Sequence, residues 1–452
     1  MVIEAIVLAA AMASPVPMIT PLPTPSPAPL PVPSAAPGVP PSIALQQAID
    51  IAAAKSPVLA AARANYRLTQ IPVQLARTAI FPLVSATGTT THSNAGTVAG
   101  RSTGGVTSNS LSASLRQLIY DGGRVIAQIH QARAAAVAGA GTYERSLETL
   151  SFSVAQAYYL YLQAQATVQV DKQLVRLNQA NEALVGAQVQ TGVAPRIDLV
   201  TAHVPTVQAE VVLIQAQGTA ASALGSFANQ LGLDANTLVQ PISNSPANPA
   251  TTLVTVLPYQ QAVTRALALR PDYLAAESTV LAQKYNVQVQ RSALLPSLTG
   301  NASYGTSSTT VTGTNFMPSS AIGLTLSIPL YDQGVTRAET EIAQADLDLA
   351  LAQLAQTKLT VELNVQQAVV SVISDQAAVT EAIAALASAQ ISLKAAQAQY
   401  KAGVINLYSL LQAQTNLTSA ETTEVNAVYT LRQAEQNYIY ALGESSINPT
   451  SL

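Results

Sequence analysis

Residues 118–125 read "LIYDGGRV", and residues 329–336 read "PLYDQGVT". Each sets a Tyr-Asp-x-Gly mark after an apolar stretch and before a long Pro-free tract. The two marks lie 211 residues apart, and this offset holds downstream. Tyr120 aligns with Tyr331, Asp121 with Asp332, Gly123 with Gly334, Gly192 with Gly403, and Leu231-Gly232 with Leu442-Gly443. Upstream the offset is 214, setting Pro57 on Pro271 and Pro82 on Pro296. There "LQQAIDIAAAKSPVLAAARA" from Leu45 matches "YQQAVTRALALRPDYLAAES" from Tyr259. The chain reads as two tandem repeats, 42–233 and 258–445, joined by a linker, 234–257.

The tract after each mark is helical by period. Ile342, Leu349, Leu363, Val370 and Ile391 fall on one series of sevens, and Leu347, Leu354 and Val361 add a second stripe. Two stripes place the helix between neighbours on both sides. The reading expects long helices over 121–190 and 332–401, each about 100 Å at ~1.5 Å per residue. Gly192 and Gly403 break them at tips 191–196 and 402–406, and return helices follow over 197–232 and 407–443. Leading helices occupy 42–80 and 258–294, with breaks or kinks at Pro57, Pro72 and Pro271. Pro205 should kink only the first return helix, because its counterpart is Asn416.

Before each mark the period changes to two. Apolar side chains stand at 111, 113, 115 and 119, and in the same phase at 322, 324, 326, 328 and 330. Hairpins are expected over 83–120 and 297–331, with strands of about 9–11 residues, enough to cross a bilayer when tilted. Leu115 and Leu326 are read as mid-strand and lipid-facing, Ser327 as facing the opposite way.

Composition excludes several classes. Charged residues make up 10%, the formal charge is −3, and there is no Cys and no Trp. Thiolate metal sites, disulfides, a Cys nucleophile and a basic nucleic-acid surface are ruled out. No window reaches about 18 consecutive apolar residues. Residues 1–13 resemble a signal peptide without its basic start. Residues 14–41 hold twelve of the 26 prolines and read as an extended spacer, and 446–452 as a tail. His92, His130 and His203 form no catalytic or ligand pattern, and no cofactor or metal is expected.

Two hairpins give four strands, which cannot close a barrel. An open sheet in lipid leaves edge groups unpaired. The ordered set of apolar-aromatic-Asp-x-Gly marks, tip glycines and duplicated organisation resembles the TolC-type outer-membrane efflux protein family over residues 42–445. The resemblance implies a mainly α chain with a small β part. It also implies a homotrimer with a 12-stranded barrel in outer-membrane lipid and an α-helical tunnel extending into the periplasm. It further implies a passive duct, not an enzyme, that serves a tripartite efflux pump or type I secretion system. A periplasmic adaptor protein and an inner-membrane transporter are its implied partners, with no nucleic acid. The alternative from the heptads alone is a soluble or surface-attached coiled-coil interaction protein without a channel.

The resemblance also assigns residues. Tyr120, Asp121, Gly123, Tyr331, Asp332 and Gly334 become strand-to-helix junctions, with each Asp suited to a helix N-terminus. Gly192, Val193, Gly403 and Val404 become adaptor-facing tips. Asp198 and Tyr400 become a hydrogen-bonded lock on the periplasmic entrance. Ile405, Ser409 and Gln412 stand where other members carry a charged lock and an acidic ring.

Overall fold

The computed structural model describes residues 42–93, 97–98, 101–102, 105–237, 239–242, 254–309 and 313–444. The expected signal segment, the proline-rich spacer, the tail from 446, half of the linker and the hairpin loop tips lie outside these residues. The elements run β1 (Ser42–Ile43), α1 (Leu45–Lys55), α2 (Pro57–Thr78), β2 (Leu83–Ser93), β3 (Thr97–Val98), β4 (Arg101–Ser102), β5 (Val106–Tyr120), α3 (Arg124–Gln190) and α4 (Arg196–Gln230). They continue with β6 (Gln240–Pro241), α5 (Tyr259–Leu269), α6 (Pro271–Arg291), β7 (Ser297–Thr309), β8 (Gly313–Ser327), α7 (Val335–Lys401) and α8 (Leu407–Leu442). Helices α3 and α7 are each 67 residues long.

Four expectations need correction. Residues 42–43 are strand, not helix: β1 pairs in parallel with β6 inside the linker, across Ser42↔Gln240 and Ile43↔Pro241. The Tyr158 hydroxyl, buried and pushed up to about 12 by desolvation and nearby Tyr159, donates to the carbonyls of Ile242 and Ile43 and ties the pair down. Pro72 does not end its helix, since α2 runs through it. Pro72 and Leu68, whose carbonyl it releases, are both exposed, so water can take that bond. Strand β8 stops at Ser327, short of 331, because Pro329 offers no N–H to the ladder. Leu326 therefore lies at the end of its strand, and Ile322, 92% exposed, is the apolar residue nearer the middle.

Pro57 and Pro271 do break the leading helices. The residues before them, Ser56 and Arg270, are extended (ψ 123° and 119°), as the proline ring requires. Pro205 sits inside the continuous helix α4.

The main sheet has the order β2-β5-β7-β8, all antiparallel. Register puts Val84, Leu115, Ala302 and Ile322 in one row on one face, and Tyr120, Leu298 and Leu326 in another row on that face. The next row over on the other face is Ser85, Ser114, Ser303 and Ala321. The sheet thus has an apolar and a hydroxyl-rich surface, as strict alternation demands. In the single chain both faces are exposed on β2 and β8, while β5 and β7 are partly covered.

Among the described residues three clusters make the core. Ile43, Ile49, Val154, Tyr158, Phe227 and Leu231 join β1, α1, α3 and α4. Val361, Val365, Val372, Leu431 and Tyr438 join α7 and α8. Val185, Ala202, Leu393, Tyr400, Leu407 and Leu410 join all four long helices near their tips. Mid-helix Tyr158 and Tyr161 are core residues, as are Val369 and Val372 at the matching place. By length and composition, α4 and α7 each contain a stretch apolar enough to cross a membrane, although no run of apolar residues is unbroken. On α7 the apolar residues Ile342, Leu349, Leu359, Leu363, Val370, Ile373 and Ile391 form an exposed stripe.

Candidate functional site

The two junctions have the same geometry. Asp121 accepts from the N–H of Gly123 (3.1 Å) and of Val125 (2.8 Å); Asp332 accepts from Gly334 (3.1 Å) and Thr336 (2.8 Å). Each aspartate satisfies two orphan donors at the start of a 67-residue helix. The side chain and N–H of Thr336, with Gly334, hold the Asp332 carboxyl below the usual range. Gly123 and Gly334 adopt φ of 84° and 86°. The residue between Asp and Gly is left-handed as well: Gly122 at φ 69°, Gln333 at φ 60°. A Cβ at Gly122 would fall 2.4 Å from the Leu295 Cβ.

The two copies should therefore respond oppositely. Gly122→Gln is expected to lower stability by about 2–4 kcal/mol through the clash and the left-handed backbone. Gln333→Gly is expected to raise it by about 1 kcal/mol. Thermal unfolding midpoints of the purified variants decide this, and shifts of the same sign would refute it.

The tips are Schellman motifs. Val193 N–H bonds the Gln188 carbonyl (2.9 Å) and Gly192 N–H that of Val189 (3.1 Å); Val404 bonds Gln399 (2.9 Å) and Gly403 bonds Tyr400 (3.0 Å). Gly192 and Gly403 have φ of 75° and 72° with open space around them, and Val193 and Val404 are exposed.

The lock differs from the expectation. Within the chain the Tyr400 hydroxyl donates to Gln188 Oε1 at 3.0 Å, not to Asp198. Burial, with a smaller contribution from the Asp198 charge, pushes the Tyr400 phenol up. Asp198 itself sits in the first turn of α4, its N–H bonded to the Pro195 carbonyl. Ser409 serves the start of α8: its N–H and hydroxyl both go to the Asn406 side chain (3.0 and 2.9 Å). Gln412 donates to Asn416 on its own helix (3.1 Å). Gln188 and Asn406 were not singled out from sequence. Asn just after a tip glycine was the available signal for a helix cap.

A charged clasp was also missed. Arg145 on α3 bonds Glu148 (2.7 Å) and the Tyr440 carbonyl (3.2 Å), lies 3.6 Å from Asp272 and stacks 3.7 Å over the Tyr440 ring. Arg270 forms two bonds to Asp272 (3.0 and 2.6 Å). Burial would raise the Asp272 carboxyl, but Arg270 and then Arg145 outweigh it and hold it low. For Glu148 burial wins over Arg145, and its carboxyl is raised. The clasp joins α3 of the first repeat to α6 and α8 of the second.

The histidines are spread apart. His92 pairs with Thr107 (2.9 Å), His130 stacks on Tyr285, and His203 lies 2.9 Å from Glu182. Among the described residues no three His, Asp or Glu side chains are placed to share a metal ion.

An open two-faced sheet carried on paired 67-residue helices defines a class of fold. A solved structure of CusC superposes with a TM-score of 0.79 at 21% identity, over 89% of this chain and 92% of that one. The Campylobacter jejuni CmeC outer membrane channel gives 0.79 at 16%, over 90% and 88%. In sequence, the chain is 35% identical over 155 residues to outer membrane protein OprJ of Pseudomonas aeruginosa, 32% of this chain and 31% of that one. It is 30% identical over 158 residues to outer membrane protein TolC of Salmonella enteritidis, 33% of this chain and 32% of that one. The sequence matches thus span about a third of these curated relatives. The model of the outer membrane efflux protein family matches residues 48–233 and 262–444, and the chain belongs to that family. Membership gives it an outer-membrane location and a place among efflux and transport proteins.

Proposed function

We propose that three copies of the chain assemble into a passive duct, with twelve strands closing a barrel in the outer membrane and the long helices forming a tunnel into the periplasm. The observation that carries this reading is the sheet. It has one apolar and one hydroxyl-rich face, and among the described residues β2 and β8 each pair on one side only. Such an edge is untenable in lipid, and closure through other copies removes it. The exposed stripe of α7 supports the same assembly, since the matching helix α3 is flanked on both sides, by α2 and by α6. In the ring, α7 would meet α2 of the next copy as α3 meets α6 within the chain.

The duct would receive cargo from an inner-membrane transporter through an adaptor protein at the Gly192-Val193 and Gly403-Val404 turns. It would serve a tripartite efflux pump or a type I secretion system. Residues 1–13 would be a cleaved signal and 14–41 a spacer. The reading assigns no cofactor.

The absence of cysteine makes a clean test. Gly141 packs on Pro271 and Ala275; by the two offsets the matching pair between copies is Ala352 with Ala61. Both are exposed in the single chain. Ala61→Cys with Ala352→Cys should give a covalent trimer on a non-reducing gel of outer membranes. A monomer under oxidising conditions would overturn the reading.

Tyr400 and Asp198 are proposed to hold the entrance closed, with Gln188 as the bonded partner of the phenol. Tyr400→Phe removes about 0.5–1.5 kcal/mol per copy and should raise single-channel conductance. Ser409→Asp with Gln412→Asp should add block by a multivalent cation from the periplasmic side. Unchanged conductance in the first variant would show that the bond is not part of a gate.

A further inference from the structure

We infer that the lumen of the barrel carries a ring of three Arg116 guanidiniums, with no carboxylate to neutralise it, and that this ring selects anionic cargo. This rests on the trimeric barrel proposed above. Charge is spread unevenly along the chain. The two hairpins, 83–120 and 297–331, contain no Asp and no Glu, and their only full charges are Arg101 and Arg116. Of the 21 Lys and Arg, 19 therefore lie elsewhere, against all 24 Asp and Glu. The whole chain is −3, yet each copy would bring two positive charges and no negative one to the barrel. A pore lined by one sign of charge and walled by low-dielectric lipid concentrates the opposite ion.

Arg116 stands on the face that would line the pore. It lies two residues from Ser114 on β5, so it shares the hydroxyl-rich face and points away from the Leu115 side. Register sets Leu83, Arg116, Asn301 and Gly323 in one row. Arg116 is exposed, and among the described residues nothing accepts a hydrogen bond from its guanidinium. Asn301 donates to Thr325 instead (3.1 Å). A Cβ at Gly323 would meet nothing within 4 Å, so the row leaves open space beside the arginine. The nearest carboxylate along the strand, Asp121, is already engaged by the N–H groups of Gly123 and Val125.

Leu83 opens β2, so the row lies at the end of the barrel that joins the tunnel, where all cargo must pass. By the offset of 211 the counterpart of Arg116 is Ser327, the last residue of β8. Three guanidiniums would thus alternate with three serine hydroxyls around the pore. Twelve strands ~4.8 Å apart and tilted near 40° set the backbone about 12 Å from the axis. A side chain reaching inward brings each guanidinium within about one Debye length of the axis, ~8 Å at physiological salt. Much of its field therefore reaches a solute passing through the centre. The fixed fork of N–H donors matches the paired oxygens of carboxylate and phosphate. Solutes bearing those groups are the cargo class the ring would favour.

The test uses the full-length channel in planar bilayers, with tripolyphosphate added on the outer side. Block of the native channel is expected. Arg116→Gln should raise the concentration for half-block at least tenfold. Ser327→Arg, which doubles the guanidiniums, should lower it at least threefold. Arg101→Gln, on β4, should change it less than twofold. A native channel that tripolyphosphate does not block, an unaltered block in Arg116→Gln, or a block that follows Arg101 instead would overturn the inference. So would a Ser327→Arg channel that is blocked no more tightly. The absence of cysteine separates this outcome from the fate of the barrel itself. In whole cells Arg116→Cys should react with an anionic methanethiosulfonate, and Leu115→Cys should not. Equal labelling, or the reverse, would refute the barrel. The expected labelling with an unaltered block would overturn the ring alone.

Discussion

Ile322→Arg is expected to abolish trimers in the outer membrane, while Ala321→Arg, one residue away, assembles. Ile322 lies in the apolar row with Val84, Leu115 and Ala302; Ala321 pairs with Ser303 on the hydroxyl-rich face. From the Leu326 row to Phe316 is ten residues. That is about 33 Å along the strand at ~3.3 Å per residue, and about 25 Å in height at the usual tilt near 40°. This matches the apolar band of a membrane barrel, and Ile322 falls near its centre. Arginine there costs about 2–4 kcal/mol per site, repeated in each copy of the proposed trimer. Leu326, level with Tyr120, belongs near the interface, where the same change costs only about 0–1 kcal/mol. Heat-modifiable trimer on a gel is the measurement. Equal tolerance of Ile322→Arg and Ala321→Arg would mean that the apolar face does not meet lipid.

The second large effect is expected at the clasp. Arg145 is 13% exposed and Glu148 6%. Removing one partner of a buried pair costs about 3–5 kcal/mol, because the other charge is left without compensation. Arg145→Met should therefore lower the unfolding midpoint sharply, and adding Glu148→Gln should recover much of the loss. The pH dependence follows from the direction of the Glu148 shift. Its folded carboxyl already titrates above the ordinary value through burial, and losing Arg145 raises it further. The protonated form is the one the fold prefers. Stability linked to this group is present at low pH and is lost as pH rises through the folded value. The variant should be less impaired at pH 5 than at pH 8. A deficit independent of pH, with no recovery in the double variant, would show that packing against Tyr440 is what Arg145 supplies.

Much of this architecture is legible in the chain itself. The spacing of Tyr120-Asp121 and Tyr331-Asp332, the switch of apolar period from two to seven across them, and the tip glycines all depend on residues near in sequence. Aspartate can cap only amides a few residues away, glycine takes a left-handed turn wherever it stands, and the pleat forces alternate side chains to opposite faces. Proline acts locally too: Pro57 and Pro271 each reset the residue before them, and Pro329 ends the ladder of β8. Family membership follows from the same ordered signals.

What the tertiary structure decided is which distant side chains meet. The pairing of β1 with β6 joins residues nearly two hundred positions apart, through the buried Tyr158 hydroxyl. Tyr400 finds Gln188 rather than Asp198, because the ends of α7 and α3 lie side by side. Arg145, Glu148, Arg270 and Asp272 look like scattered charges in a chain poor in charge until three helices bring them together. Arg116 reads as one more isolated charge. Only the register of four strands reveals that it stands in a row with Leu83, Asn301 and Gly323. Local rules fix the conformation of each segment, but whether a polar group is satisfied depends on long-range contacts that no neighbouring residue encodes.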